Sequence, residues 1–162
     1  MGTGKIEVIY GNGYGKTSMA VGRGLFALTR QQDVIMIQFL KGNQKQENLE
    51  VIERLEPEMK VFRFEKSDCY FDQLTEMQKQ EEYINIRNGL NYAKKVLATG
   101  ECGVLILDEV LGLLDQCLLT EEELKQLLEC RDEADVILSG KVLPDWLRDM
   151  ADRVVCISQD KP

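Results

Sequence analysis

The sequence predicts an α/β fold, with a mostly parallel sheet of about six strands and helices on both faces. Short apolar runs alternate with longer segments of helical periodicity along the whole chain, which is the pattern of strand-helix-strand units. One run, GVLIL at 103–107, is continuously apolar, as a strand covered on both faces requires. The length of 162 residues suits one domain, 1–162, with its own core.

Strands are predicted where β-branched and apolar residues cluster and then stop at glycine or polar residues. The six predicted strands are 5–10, 34–39, 60–64, 103–107, 135–140 and 153–158.

Helices are predicted from apolar periodicity and from terminal signals. Residues 17–29 follow a glycine-rich turn, 47–55 precede Pro57, and 144–150 lie between the last two strands. Apolar residues spaced by four, three and four from Ile86 to Leu97 predict a long helix over 74–98 that ends at Gly100. Thr120 with Glu123 forms a capping box that starts a further helix.

Composition excludes several function classes. The chain has no histidine, so histidine-based acid-base catalysis, triads and metal sites are excluded. The net charge of -8 and the scattered lysines and arginines argue against nucleic-acid binding. Five cysteines never spaced as C-x-x-C indicate reduced thiols. Without a signal segment or an apolar stretch long enough to span a membrane, we expect a cytoplasmic protein with no membrane partner.

A glycine-rich turn follows the first predicted strand and reads GNGYGKTS. It is one residue shorter than the phosphate-binding pattern G-x-x-x-x-G-K-[ST], because Tyr10 stands where the first glycine would be. In such a loop Lys16 contacts phosphates and Thr17 ligates Mg²⁺. The alternative is a simple glycine turn with an exposed lysine. The candidate binding residues are Gly11, Asn12, Gly13, Tyr14, Gly15, Lys16, Thr17 and Ser18.

An acidic pair, Asp108 and Glu109, directly follows the apolar run VLIL. A strand ending in acids is what a second, magnesium-binding motif of a nucleotide site needs, so the predicted metal ligands are Thr17, Asp108 and Glu109. The predicted catalytic residues are Lys16, Thr17 and Glu109. Of these, Glu109 could position water. An exposed strand end with a helix-capping acid is the alternative.

With these motifs, the segments VIMIQFLKG, VLILDEV and VILSGKVLPDWLRDMADRVV resemble the ATP:corrinoid adenosyltransferases of the CobA/BtuR type over about residues 5–158. The resemblance implies a P-loop, RecA-like fold and usually a homodimer. It implies transfer of the 5′-deoxyadenosyl group of ATP to the cobalt(I) of a reduced corrinoid, with release of triphosphate. ATP, Mg²⁺ and a corrinoid are then the ligands, and a reductase is an expected partner.

The resemblance also implies further site residues. ATP would lie in reversed phosphate order, with Gln38, Lys41 and Lys141 near the nucleotide or corrinoid. Tyr70 and Phe71 are the candidates to displace the lower ligand of cobalt. Lys41 could equally be a solvated loop lysine, and the two aromatic residues could simply pack a loop onto the domain.

The sequence departs from the family pattern at four positions. Tyr14 stands where lysine is common, Phe26 and Lys141 stand where arginine is expected, and Cys156 stands where an acid is common. These departures keep two alternatives open: a divergent ATP-binding module without adenosyl transfer, and a simple hydrolytic NTPase.

Overall fold

The computed structural model describes residues 3–41 and 50–162. Its six strands form one parallel sheet in the order β3-β2-β4-β5-β1-β6. The predicted α/β fold is therefore confirmed, and each predicted strand is found within a few residues of its expected ends. The strands are β1 Ile6–Tyr10, β2 Val34–Gln38, β3 Met59–Phe62, β4 Val104–Asp108, β5 Asp135–Gly140 and β6 Arg153–Cys156.

In the described part of the chain, six α-helices connect the strands: α1 Lys16–Thr29, α2 Glu50–Glu53, α3 Glu76–Thr99, α4 Val110–Asp115, α5 Glu121–Glu129 and α6 Asp145–Met150, with a short 3₁₀ turn at Phe71–Gln73. The long predicted helix corresponds to α3, which begins after a capping box of Thr75 and Gln78 and ends at left-handed Gly100. The capping box predicted at Thr120 is present at the start of α5.

Two helices differ from the prediction. The predicted helix 47–55 is seen only as Glu50–Glu53 and ends in turns, while residues 47–49 and most of the polar loop before them lie outside the described residues. Helix α4 was not predicted at all. Its sequence VLGLLD is buried from Val110 to Leu113, so it lacks the polar face that makes a helix recognisable in sequence.

The core is split between the two faces of the sheet, because alternate side chains of a strand point to opposite faces. On one face α1 and α2 pack against the sheet through Ala20, Ala27 and Ile52. On the other face the cluster contains residues of α3, α4, α5 and α6, including Ile86, Leu90, Leu111, Leu124 and Leu147. This confirms the prediction of helices on both faces.

The carboxyl ends of the parallel strands all lie at one edge of the sheet. Gln38 ends β2 and is in register with Asp108, which ends β4, while Ser139 is near the end of the neighbouring β5. The glycine-rich turn leaves the same edge from β1. Polar residues far apart in sequence are thereby collected at one place, as is typical of binding sites in this class of sheet.

Among the described residues, no helix has the length and apolar character needed to cross a membrane.

Candidate functional site

The glycine-rich loop depends on two glycines with left-handed backbone, Gly11 with φ 123° and Gly15 with φ 104°. A Cβ at Gly11 would lie 2.2 Å from the carbonyl oxygen of Ile157, so the position excludes any side chain. The Gly13 N–H donates to the same carbonyl at 3.0 Å. The loop is thus held against the segment that follows β6.

Lys16 folds back over this loop. Its Nζ donates to the carbonyl oxygens of Gly11 at 2.8 Å and of Gly13 at 3.0 Å, and the residue is half-buried. These bonds do not agree with the alternative of a glycine turn with an exposed lysine. They also place the ammonium group at the mouth of the loop, where a phosphate would meet it.

Helix α1 begins directly after the loop with its first turn open to a ligand. Gly15 at the N-cap has no side chain to accept from the first backbone N–H groups, and no acidic residue lies in the first turn. The unpaired N–H groups and the positive end of the helix dipole therefore favour an anion here.

Asp108 is the centre of the polar network at this edge of the sheet. The residue is 0% exposed, and its two carboxylate oxygens accept from four side chains. Thr17 Oγ1 lies 3.1 and 3.0 Å from the two oxygens, Ser139 Oγ 2.7 Å from Oδ1, Gln38 Nε2 3.1 Å from Oδ2, and Lys41 Nζ 2.6 Å from Oδ2. A buried carboxylate needs hydrogen-bonding or oppositely charged partners to replace the water that it has lost.

This geometry decides between the alternatives for two residues. The interpretation of Asp108 as an exposed strand end is wrong, since it is fully buried and bonded to Thr17 of the loop. The interpretation of Lys41 as a solvated lysine is also wrong, because Lys41 is 8% exposed and paired with Asp108. Lys41 Nζ additionally donates to Thr17 Oγ1 at 3.0 Å.

Glu109 adopts left-handed backbone with φ 62° and precedes α4. Its backbone N–H donates to Ser139 Oγ at 2.9 Å, so Ser139 connects the backbone of Glu109 to the carboxylate of Asp108. Sequence analysis did not identify Ser139, although it lies within the segment VILSGK.

A cavity of about 660 Å³ opens beside the loop. Of the predicted site residues, those that line it are Asn12, Gly13, Tyr14, Gly15, Lys16, Thr17, Ser18, Lys41, Tyr70, Glu109 and Lys141. Three others, Gly11, Gln38 and Asp108, are buried beneath its surface. Phe71 instead packs against the core, with Lys79 Nζ 5.9 Å from its ring centre, so the structure brings Tyr70 but not Phe71 to the cavity.

A smaller polar cavity of about 270 Å³ adjoins the first through Lys41. It includes Gln38, Arg63 and Glu65, and Arg63 Nε donates to Gln38 Oε1 at 2.9 Å. Burial raises the pKa of the Glu65 carboxyl, whose Oε1 accepts from the Leu40 N–H at 2.9 Å, and burial lowers the pKa of Arg63. Arg63 and Glu65 were missed because KVFRFE reads as a strand with ordinary alternating polar residues.

The residues that depart from the expected pattern lie on the surface. Tyr14 is 84% and Phe26 67% exposed, and Cys156 is also exposed. Phe26 lines a separate cavity together with Arg23 and Arg30, so the position where an arginine was expected does not face the loop cavity.

A parallel α/β sheet with a glycine loop, its lysine, and a bonded threonine and aspartate define a P-loop nucleotide-binding protein of RecA-like fold. More narrowly, the chain belongs to the ATP:corrinoid adenosyltransferase BtuR/CobO/CobP family, whose sequence profile matches residues 2–161.

Two curated proteins are similar in sequence to this chain. The corrinoid adenosyltransferase of Escherichia coli strain K12 is 29% identical over 154 residues, covering 93% of this chain and 74% of that protein. An uncharacterized protein of Nostoc sp., all2391, is 27% identical over 164 residues, again covering 93% of this chain. The chain spans 42% of the length of that second relative.

Solved structures with some likeness include a DNA replication initiation factor and the replication initiator DnaA bound to AMPPCP and single-stranded DNA. Each has a TM-score of 0.47 and 20% sequence identity. They cover 98% and 96% of this chain, which in turn spans 41% of each of them. Values this low support no functional comparison.

Proposed function

We propose that this protein is a magnesium-dependent ATP:corrinoid adenosyltransferase that moves the 5′-deoxyadenosyl group of ATP to the cobalt(I) of a reduced corrinoid. The observation that carries the proposal is the shortened loop with Lys16 at its mouth and Thr17 bonded to buried Asp108, in a chain that belongs to this family.

The reaction asks for positioning and charge neutralisation rather than for a protein base. Cobalt(I) of the substrate is the nucleophile: its electron pair forms the cobalt–carbon bond to C5′, the C5′–O bond breaks, and that bond's electrons leave with the triphosphate. The protein has to hold the leaving triphosphate and stabilise its added negative charge. Lys16, Lys41 and the open first turn of α1 supply positive charge for this task, and the absence of histidine is compatible with it.

Magnesium fits the donor set of this site. The Thr17 hydroxyl and the Asp108 carboxylate are already within hydrogen-bonding distance, and Glu109 lines the same cavity. The described residues contain no group of three or more acidic, cysteine or histidine side chains arranged so that it could hold a metal ion. Mg²⁺ does not require one, since it takes one or two carboxylates together with phosphates and water. When bound, it would neutralise charge on the triphosphate.

Tyr70 is our candidate for the aromatic residue that meets the corrinoid. It is exposed and lines the loop cavity, whereas Phe71 packs on the core. Lys141 lines the same cavity and would contact the nucleotide as a single point charge, where an arginine could make two parallel bonds. Gln38 would act through Asp108 rather than by touching the ligand.

Three further features belong to the proposal. We propose a homodimer, an electron-donating reductase as partner, and a cytoplasmic location. The family resemblance supports the first two. Free cysteines at all five positions are compatible with a reducing compartment.

Incubation of the protein with ATP, Mg²⁺ and chemically reduced cobalamin tests the proposal. We expect the absorption spectrum of adenosylcobalamin and one equivalent of triphosphate per turnover. Formation of only ADP and phosphate, with or without corrinoid, would indicate a hydrolytic NTPase instead.

A second candidate, an ATP-binding module without transferase activity, is favoured by the exposed Tyr14 in the loop. Calorimetry separates the two, because only the transferase is expected to bind a corrinoid in the presence of ATP. ATP binding with no heat on corrinoid addition would support the module.

A further inference from the structure

The Lys41 ammonium occupies the position where a divalent cation would be expected. Its Nζ lies 2.6 Å from Asp108 Oδ2 and 3.0 Å from Thr17 Oγ1. Those are the carboxylate and the hydroxyl that a nucleotide-bound magnesium ion would use. One protein cation therefore contacts two of the three predicted metal ligands.

This pair is enclosed, so its charges matter more than those of a surface ion pair. The side chains of Lys41 and Asp108 are 9% and 1% exposed. The other hydrogen-bond partners of Asp108 are the neutral groups of Thr17, Gln38 and Ser139, and the Arg63 guanidinium, bonded to Gln38, also interacts electrostatically with the carboxylate. Removing one partner of a buried ion pair leaves an uncompensated charge. Lys41, which contacts the carboxylate directly, thus compensates part of its charge in this arrangement.

A divalent ion and the Lys41 ammonium would repel each other if both lay against these two oxygens. Metal binding at this point therefore requires the ammonium to move to another anion. Lys41 lines the same cavity as Lys16, Thr17 and the loop, so the phosphates of a nucleotide bound there would offer its ammonium such an anion.

We propose that Lys41 is a resident cation that keeps divalent metal out of the Asp108–Thr17 site until nucleotide phosphates draw its ammonium away. Metal and nucleotide then enter the site together, and free metal alone binds poorly. The final step rests on the proposed nucleotide-binding function, whereas the exclusion of free metal does not.

The test uses Mn²⁺ as a paramagnetic substitute for Mg²⁺, with binding followed by electron paramagnetic resonance on the nucleotide-free protein. We expect Lys41→Met to bind Mn²⁺ at least tenfold more tightly than the unmodified protein. The double variant Lys41→Met with Asp108→Asn should lose this gain, because the anionic ligand is gone. With ATP present, the difference between the unmodified protein and Lys41→Met should shrink.

Lys141→Met is the matched control. Lys141 lines the same cavity but is exposed, so it tests whether any lost positive charge improves Mn²⁺ binding. We expect its Mn²⁺ affinity to change less than twofold. Lys41→Gln keeps a hydrogen-bond donor and serves if Lys41→Met does not fold, as checked by circular dichroism.

Two results would overturn the inference. Equal Mn²⁺ affinity of the unmodified protein and both Lys41 variants would mean that the ammonium does not compete with metal. An equal gain in Lys141→Met would mean that only the overall charge of the cavity matters. Neither result depends on adenosyl transfer, so failure of the proposed reaction would be seen separately as missing adenosylcobalamin.

Discussion

At the scale of single residues, the site is organised by charged groups, buried or half-buried, that have partners within the protein. Asp108 is bonded by four side chains, and Lys16 is bonded by two loop carbonyls. Under the proposed function, Lys16 would turn from the loop carbonyls to phosphate oxygens, and Asp108 would exchange Lys41 for the metal ion. The protein thus holds the residues of its binding site in place before the ligand arrives, which lowers the entropic cost of binding.

Lys16→Ala tests the residue that contacts both the loop and the expected phosphates. Its loss should remove a few kcal/mol of stabilisation of the departing triphosphate, and hence lower turnover by about two orders of magnitude or more. The measurement is the rate of adenosylcobalamin formation, together with ATP affinity by calorimetry. Lys141→Ala, which removes an exposed lysine of the same cavity, should cost less. Unchanged turnover in Lys16→Ala would mean that Lys16 only bonds the loop.

At the scale of elements, helix α1 has to present its open first turn to a ligand while packing its other end against the sheet. Two glycines in its middle have different surroundings. A Cβ at Gly24 would lie 3.1 to 3.3 Å from side-chain atoms of Met59, Ile106 and Val34, whereas a Cβ at Gly22 would have nothing within 4 Å. Gly24 therefore allows close approach of α1 to β2, β3 and β4, and Gly22 does not serve this purpose.

Alanine at these two positions should have opposite effects on the free energy of unfolding. Gly22→Ala should stabilise by roughly 0.5–1 kcal/mol, because glycine is a poor helix former. Gly24→Ala should destabilise by about 1–3 kcal/mol through overpacking. Urea unfolding followed by circular dichroism measures both, and each variant serves as the control for the other. Equal effects of the same sign would contradict the packing assigned to Gly24.

At the scale of the whole molecule, Cys102 is buried just before β4, in the core cluster on the face of the sheet that carries α3. Burial raises the pKa of its thiol to about 12, while Cys69, Cys117 and Cys156 are exposed. The unfolded chain should ionise this thiol near pH 8.5, about the ordinary value. Because the folded state holds the proton more tightly, the contribution of Cys102 to stability is complete below that pH and falls as pH rises above it.

The reactivity of Cys102 should report global unfolding. A thiol reagent at pH 8 should modify the three exposed cysteines rapidly and Cys102 only when the chain unfolds. In urea unfolding between pH 8 and pH 10, Cys102→Ala should lose less stability with rising pH than the unmodified protein. Cys117→Ala is the control and should keep the original pH dependence. Rapid labelling of Cys102 in the native protein would show that this part of the core opens locally.

The main features of the fold could be predicted because they rest on local patterns. Apolar runs marked all six strands, and the capping box at Thr120 and the spacing from Ile86 to Leu97 marked two helices. Helix α4 could not be found, since its residues Val110 to Leu113 are buried all round and show no polar face. Several predicted strand ends differ from the observed ones by one or two residues, because hydrogen-bonded pairing with neighbouring strands decides where a strand stops.

The sequence by itself determined the loop, the lysine, the acidic strand end and the family to which the chain belongs, because each is a short run of adjacent residues. Only the tertiary structure decided which of these residues meet. Thr17 and Asp108 are 91 positions apart, and the strand order brings them together with Gln38, Ser139 and Lys41. It also separated Tyr70 from Phe71, which neighbour each other in sequence, since the 3₁₀ turn that begins at Phe71 directs one ring to the core and leaves the other at the cavity.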